Sequence, residues 1–153
     1  MTGKREIDIR ECNTINTLPR DLQEYQILKI NDILISLTGN VGRVSLCNSF
    51  NCLLNQRVGL LFIKNPFLHE YIYQVLSSDL FLRSMMDSAQ GAAQLNIGKG
   101  DIESFLIPYT EDFTLLNKIA SVLYSIDLKI IMEEKQCGLL IRQKDYLMKS
   151  LFI

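Results

Sequence analysis

The sequence predicts an α+β fold, a small mixed or antiparallel sheet followed by one long C-terminal helix that forms a coiled coil. Up to about Tyr109, short runs of branched apolar residues alternate with segments whose apolar spacing is helical. From residue 112 to 152 there is no proline, and apolar residues recur in alternating steps of four and three. The division that follows is a domain over residues 1–110 and a helix over 111–153.

The opening, to about Gln23, mixes charges with Asn and Thr, lacks periodicity and reads as irregular. Strand-like runs follow at 26–30 and 32–37; Thr38, Gly39 and Asn40 mark a turn, and a strand resumes over 41–47, so the pair reads as a hairpin. Residues 48–51 are a polar loop, and 57–63 read as another buried strand, ended by Lys64, Asn65 and Pro66. Leu68, Ile72, Val75 and Leu76 then recur at helical spacing, as do Leu80, Leu82, Met85 and Met86 after an N-cap at Asp79. These predict two short helices or one kinked one. A segment rich in Gly and Gln, 90–97, leads through Gly98, Lys99 and Gly100 to a strand over 105–108 closed by Pro108.

The tail differs in kind. Ile119, Ile126, Leu140 and Leu147, together with Leu123, Ile130, Cys137 and Leu151, form an apolar seam that Glu133 and Lys144 interrupt. About 40 helical residues would span about 60 Å, longer than a domain of this size needs for its own core. Such a helix wants a partner. The two polar interruptions either fix the pairing register or are lapses in an imperfect repeat, and Gly138 costs the helix about 1 kcal/mol relative to alanine.

Hydrophobic residues at 48%, charged residues at 22% and three prolines exclude a disordered or collagen-like chain. At 17.6 kDa, area scaling gives about 7,900 Å² folded against about 25,500 Å² unfolded, so folding should hide about two thirds of the surface. Sixteen Lys and Arg against seventeen Asp and Glu leave a net charge of −1, which by itself argues for neither nucleic acid nor membrane. Residues 33–69 contain no acid but include Arg43, Arg57 and Lys64, a pattern that fits a cationic surface or simply a buried sheet. The scattered cysteines Cys12, Cys47, Cys52 and Cys137 read as reduced thiols of a soluble cytoplasmic protein, and no apolar run reaches the length of a membrane span.

No enzyme signature is present. Residues 39–43 lack the spacing of a phosphate-binding loop, and Cys47 and Cys52 with the single histidine, His69, do not complete a zinc site. No metal or cofactor is expected, and Glu133 and Glu134 read as a solvated helix face. What remains is a polar inventory at predicted strand ends and loops: Ser36, Thr38, Asn40, Arg43, Gln56, Arg57, Gln90, Gln94, Asn96 and Lys99. Arg pairs bidentately with guanine, Asn and Gln with adenine, and Ser, Thr and Lys reach phosphates, although loops are polar in any protein.

The order of segments carries a resemblance. Residues 31–43, NDILISLTGNVGR, resemble the GDILxSxTGxxGR segment of the specificity subunits of type I restriction-modification systems, and Asn55, Gln56 and Arg57 match the short NQR that follows it. Residues 91–97, GAAQLNI, are similar to that family's GxxQxNI loop, and Ile107 and Pro108 to its strand end. Residues 118–127 and 144–152 resemble the KIAxxLxxLD start and KxxLMxxLF end of its long helix.

The resemblance implies a non-catalytic target recognition domain and a spacer helix. Two such units, their helices antiparallel, would read the two halves of a bipartite site on double-stranded DNA, with helix length setting the gap. The partners implied are an adenine methyltransferase (modification) subunit, through it a restriction subunit, and a second unit supplied by an identical chain or by another half subunit. This chain carries one unit, which reads as a natural half, a remnant or a fragment. Residues 1–26 depart from the family's opening strand, and 112–117 from its usual lead into the helix. A rival reading is an interaction module that dimerises through its C-terminal helix.

Overall fold

An uninterrupted apolar run such as Ile33, Leu34 and Ile35 is what a strand needs when both its faces are covered. The computed structural model, in which residues 3–89 and 95–152 are described, places this run at the centre of the sheet. Strand β1 (Ile33–Ser36) pairs antiparallel with β2 (Val44–Leu46) on one side and β3 (Val58–Leu61) on the other. Ile33 faces both Leu46 and Leu61, and Ser36 faces Val58. Ile33 and Ile35, with Val44 and Leu46, pack on Tyr73 and Leu76 of helix α1 (His69–Leu76) and on Phe81 and Met85 of α2 (Asp79–Ser88). Leu34 points the other way, into a smaller cluster with Leu28 and Cys47 that Ile7, Cys52 and Leu54 cover.

The expected hairpin and the pair of short helices are present, with several local corrections. The strand expected over 41–47 begins only at Val44, because Val41 and Gly42 are buried in the connecting turn, where Gly42 adopts φ +74° against Met85. The strand expected over 57–63 is likewise confined to β3. Residues 26–30 do not form a strand. A 3-10 turn over Glu24–Gln26 is closed by Gln26 Oε1 accepting from the Gln23 amide, and the Asp32 carboxylate takes the Lys29 amide at 2.7 Å, so side chains bend the main chain away from a ladder. One isolated bridge, Ile27 to Leu53, remains.

Helix α2 is capped by Ser78, whose Oγ accepts from the Phe81 amide, rather than by Asp79. A short helix, α3 (Lys99–Glu103), follows Gly98, and the strand expected over 105–108 does not form: Phe105 lies in a bend and 106–108 belong to no ladder. Its side chains are anchored instead: the ring of Phe105 stands edge-on to Phe81 at 5.0 Å, and the Tyr71 hydroxyl donates to the Pro108 carbonyl at 2.6 Å.

The opening segment is irregular as expected, with a single 3-10 turn over Ile9–Glu11, but its first described residues are tied to the sheet by long-range contacts. The Leu46 amide donates to the Arg5 carbonyl at 2.7 Å, and the Ile7 amide donates to the Leu46 carbonyl at 3.1 Å. A parallel bridge from Glu6 to Leu46 thereby covers the outer edge of β2.

Helix α4 (Phe113–Leu151) has 39 residues, about 58 Å, and begins at Asp112, whose carboxylate accepts the Leu115 amide at 3.1 Å. Leu116 and Ala120 bury against Tyr71, with Leu68, Val75 and Ile107 around them. Beyond Ala120 all residues of α4 through Phe152 are exposed except Asp127 and Ile131, which are half-buried. The chain exposes 11595 Å² in all, well above the roughly 7,900 Å² of a compact protein of this mass. The expectation that folding hides two thirds of the surface is therefore corrected: the projecting helix keeps its sides in solvent.

Arg5 ties this helix to the domain. Its guanidinium holds Glu70 of α1 bidentately, at 2.8 and 2.6 Å, and Asp127 of α4 at 2.8 Å, while lying 4.7 Å from the ring centres of both Tyr73 and Tyr124. Gln74 Nε2 donates to both carboxylates, at 2.9 and 2.7 Å. Burial raises the Glu70 pKa, but the hydrogen bonds from Arg5 and Gln74 outweigh it and hold the carboxyl below its usual range. Burial pushes the Tyr73 phenol up to about 12, so its ring stays neutral beside Arg5.

Two stability measurements test this account. Gly42→Ala brings a Cβ to 2.7 Å from the Cβ of Met85 as well as straining φ, whereas Gly39, at φ +76°, has nothing within 4 Å. The first should cost about 2–4 kcal/mol and the second only about 1 kcal/mol in denaturant unfolding; equal losses would mean that contact with α2 is unimportant. A carboxyl whose folded pKa is depressed stabilises fully above its unfolded value, about 4.3, and loses that contribution as pH falls through the folded value. Wild-type stability should therefore drop below about pH 4.3, and Glu70→Gln should flatten that limb of the curve.

Candidate nucleic-acid interface

Segments distant in sequence converge at the C-terminal end of β1. The Ser36 amide donates to the Arg43 carbonyl and the Leu37 amide to the Arg57 carbonyl, each at 2.9 Å. On the next rungs the Ile97 amide donates to the Leu37 carbonyl at 2.9 Å and the Gly39 amide to the Leu95 carbonyl at 3.0 Å, so that Thr38 and Asn96 form an antiparallel bridge. The hairpin turn, the turn before β3 and the segment after α2 are thus stitched to one strand end. Asn55 sharpens the second of these, its Oδ1 accepting from the Arg57 amide at 2.9 Å.

The polar side chains singled out in the sequence fall into distinct settings. Asn40, Gln56, Arg57 and Asn96 are exposed at this end, and Thr38 is half-buried between them. Ser36 is only 7% exposed, its side chain held inside the sheet end. Arg43 is exposed, yet its side chain lies across the backbone of Gly3, toward the sheet edge. Lys99 opens α3 just beyond Asn96 and is paired with Glu103 at 3.5 Å. Gln90 and Gln94 lie outside the described residues. Lys64, the third cation of the acid-free stretch, follows β3 and so sits toward the other end of the sheet.

That other end is where α4 attaches. Leu46, bonded to Arg5, is the register partner of Ile33, so the Arg5 cluster and the polar loops are separated by the length of β1, about 13 Å. The cluster is the feature that sequence reasoning missed. Its members are 65 and 122 positions apart, and an arginine in an aperiodic opening gives no local signal.

Exposed amides and a guanidinium on short, hydrogen-bonded loops supply donors and acceptors for base edges and phosphates without any reactive group among them. Among the described residues no three His, Cys, Asp or Glu side chains are grouped to hold a metal, and His69 is engaged by the Asn31 carbonyl at 2.8 Å. Among the same residues no helix is long and apolar enough to cross a membrane.

In comparison with known proteins, the profile of the family described as "Type I restriction modification DNA specificity domain" matches residues 7–137, from the opening segment well into α4. No curated protein matches the chain. The match spans the sheet, the converging loops and the docked part of the long helix in one stretch. The chain belongs to the family of type I restriction-modification DNA specificity domains, the non-catalytic component that recognises the DNA target and assembles with modification and restriction subunits on DNA.

Proposed function

We propose that this chain reads one half of a bipartite DNA site with the loops at the C-terminal end of β1, and that α4 pairs with the helix of a second unit to set the gap between halves. The observation that carries the reading is the free seam of α4. Ile119, Leu123, Ile126, Ile130, Cys137, Leu140, Leu147 and Leu151 are all exposed, with Ile126 at 52%, Leu140 at 57% and Leu151 at 72%. At about 100° per residue, this seam lies roughly a quarter turn around the helix from Leu116, Ala120 and Asp127. Docking to the domain and pairing with another helix therefore use different faces and can coexist.

Asn40, Gln56, Arg57 and Asn96 are the side chains best placed to meet bases, with Thr38 and Lys99 at their margin. A chain of net charge −1 supplies few of the cations that phosphate binding needs, so much of that affinity belongs to the methyltransferase subunit, which this chain directs to its adenines. The second unit is an identical chain or a different half. Co-expression with the methyltransferase subunit, followed by mapping of methylated adenines, should return a gapped motif. A palindromic motif assigns two identical copies, an asymmetric one assigns a different second half, and absence of any gapped motif overturns the reading.

Two substitutions divide the proposal. Arg57→Glu should lower site-specific methylation by roughly 5- to 150-fold, the cost of about 1–3 kcal/mol for a lost base contact, while assembly is unchanged in size-exclusion chromatography. Methylation at the wild-type level would remove Arg57 from the DNA-facing set. Ile126→Asp places a charge in the seam and should weaken helix pairing by about 3 kcal/mol or more in sedimentation equilibrium; unaltered pairing would refute the seam.

A further inference from the structure

Two of the attachments of α4 to the domain differ in kind. Leu116 and Ala120 make an apolar contact that allows rocking, because such contacts carry little directionality. The Arg5 cluster is directional: a planar fork grips Glu70 through two nitrogens, shares one of them with Asp127, and has its guanidinium carbon within stacking reach of Tyr73 and Tyr124. The arginine side chain is only 10% exposed, so water competes poorly for it. A further tie, Lys4 to Glu134 at 3.0 Å, joins side chains more than half exposed and contributes little.

One contact leaves a helix free to pivot, and a second fixes its axis. From Ala120 to Leu151 the helix extends about 46 Å, so a pivot of about 5° carries its end through about 4 Å, more than the 3.4 Å rise of a base pair. We infer that Arg5 is a positioning residue that sets half-site spacing: by locking α4 to α1 it fixes the angle between the spacer helix and the loops that read DNA. The inference rests on the bipartite reading above. Without Arg5, Glu70 and Asp127 confront each other across Gln74 with no cation between them, which turns the clamp into a repulsion.

The test compares wild type, Arg5→Met and Arg5→Lys, each co-expressed with the methyltransferase subunit, by mapping methylated adenines. Wild type should show a single gap length. Arg5→Met should keep the same half-site bases but methylate sites whose gap is one base pair longer or shorter, and Arg5→Lys, which keeps the charge but not the fork, should lie between. A single unchanged gap in Arg5→Met overturns the inference, as does a change in the half-site bases, which would make Arg5 a reader rather than a positioner. If Arg5→Met does not fold, Asp127→Asn loosens the same joint from the helix side and carries the same expectations.

A readout without DNA separates this inference from the bipartite reading. Nitroxides at Arg83→Cys on α2 and Arg142→Cys on α4, with Cys12→Ser and Cys137→Ser and dilution by unlabelled chain, report the domain-to-helix distance by pulsed electron resonance. The distribution should broaden in Arg5→Met. An unchanged width overturns the role of Arg5 even if the methylation motif is gapped, and broadening without any gapped motif upholds the joint while the bipartite reading and its spacing role fall.

Discussion

A strand buried on both faces has only its two ends to offer the rest of the molecule, and that constraint organises this structure. Ile33, Leu34 and Ile35 are covered by helices on one side and by the cluster around Leu28 and Cys47 on the other. Loops that carry polar chemistry gather where the strand runs out at Leu37, and the joint with the long helix forms where it begins. Four residues of β1 separate the strand end that gathers the polar loops from the strand end nearest the joint.

Parts of this were legible in the sequence for definite reasons. The hairpin announced itself through branched apolar residues on either side of Thr38, Gly39 and Asn40, and the long helix through the absence of proline and the repeat of Ile119, Ile126, Leu140 and Leu147. These are local signals. Residues 26–30 carry the same apolar content as a strand, but the carboxylate of Asp32 reaches back to the Lys29 amide, and turn chemistry prevails over propensity. Residues 105–108 went the same way because Phe105 and Tyr71 fix the segment by side chains, without a ladder.

The candidate site was legible as a set of residue types and illegible as a place. Nothing local says that Arg57 and Asn96 lie beside Thr38, since the hydrogen bonds that bring them together run from Leu37 and Gly39 to main-chain groups far along the chain. Burial was equally hidden: Ser36 reads like Thr38 in sequence but closes into the sheet. The Arg5 cluster is the extreme case, assembled from an opening segment, a short helix and the middle of a long one.

The stretch of α4 beyond Glu134 has a further consequence. It is exposed throughout, contains Gly138, and runs for fewer than about 20 residues, a length at which an isolated helix in water is marginal. Under the proposed pairing, order there is supplied by the partner helix, so folding of this arm and association become one equilibrium governed by mass action. The concentration of partner, rather than temperature or sequence alone, then sets how much of the arm is helical. A chain made in excess of its partner presents a frayed apolar end, the kind of segment that proteases cut first.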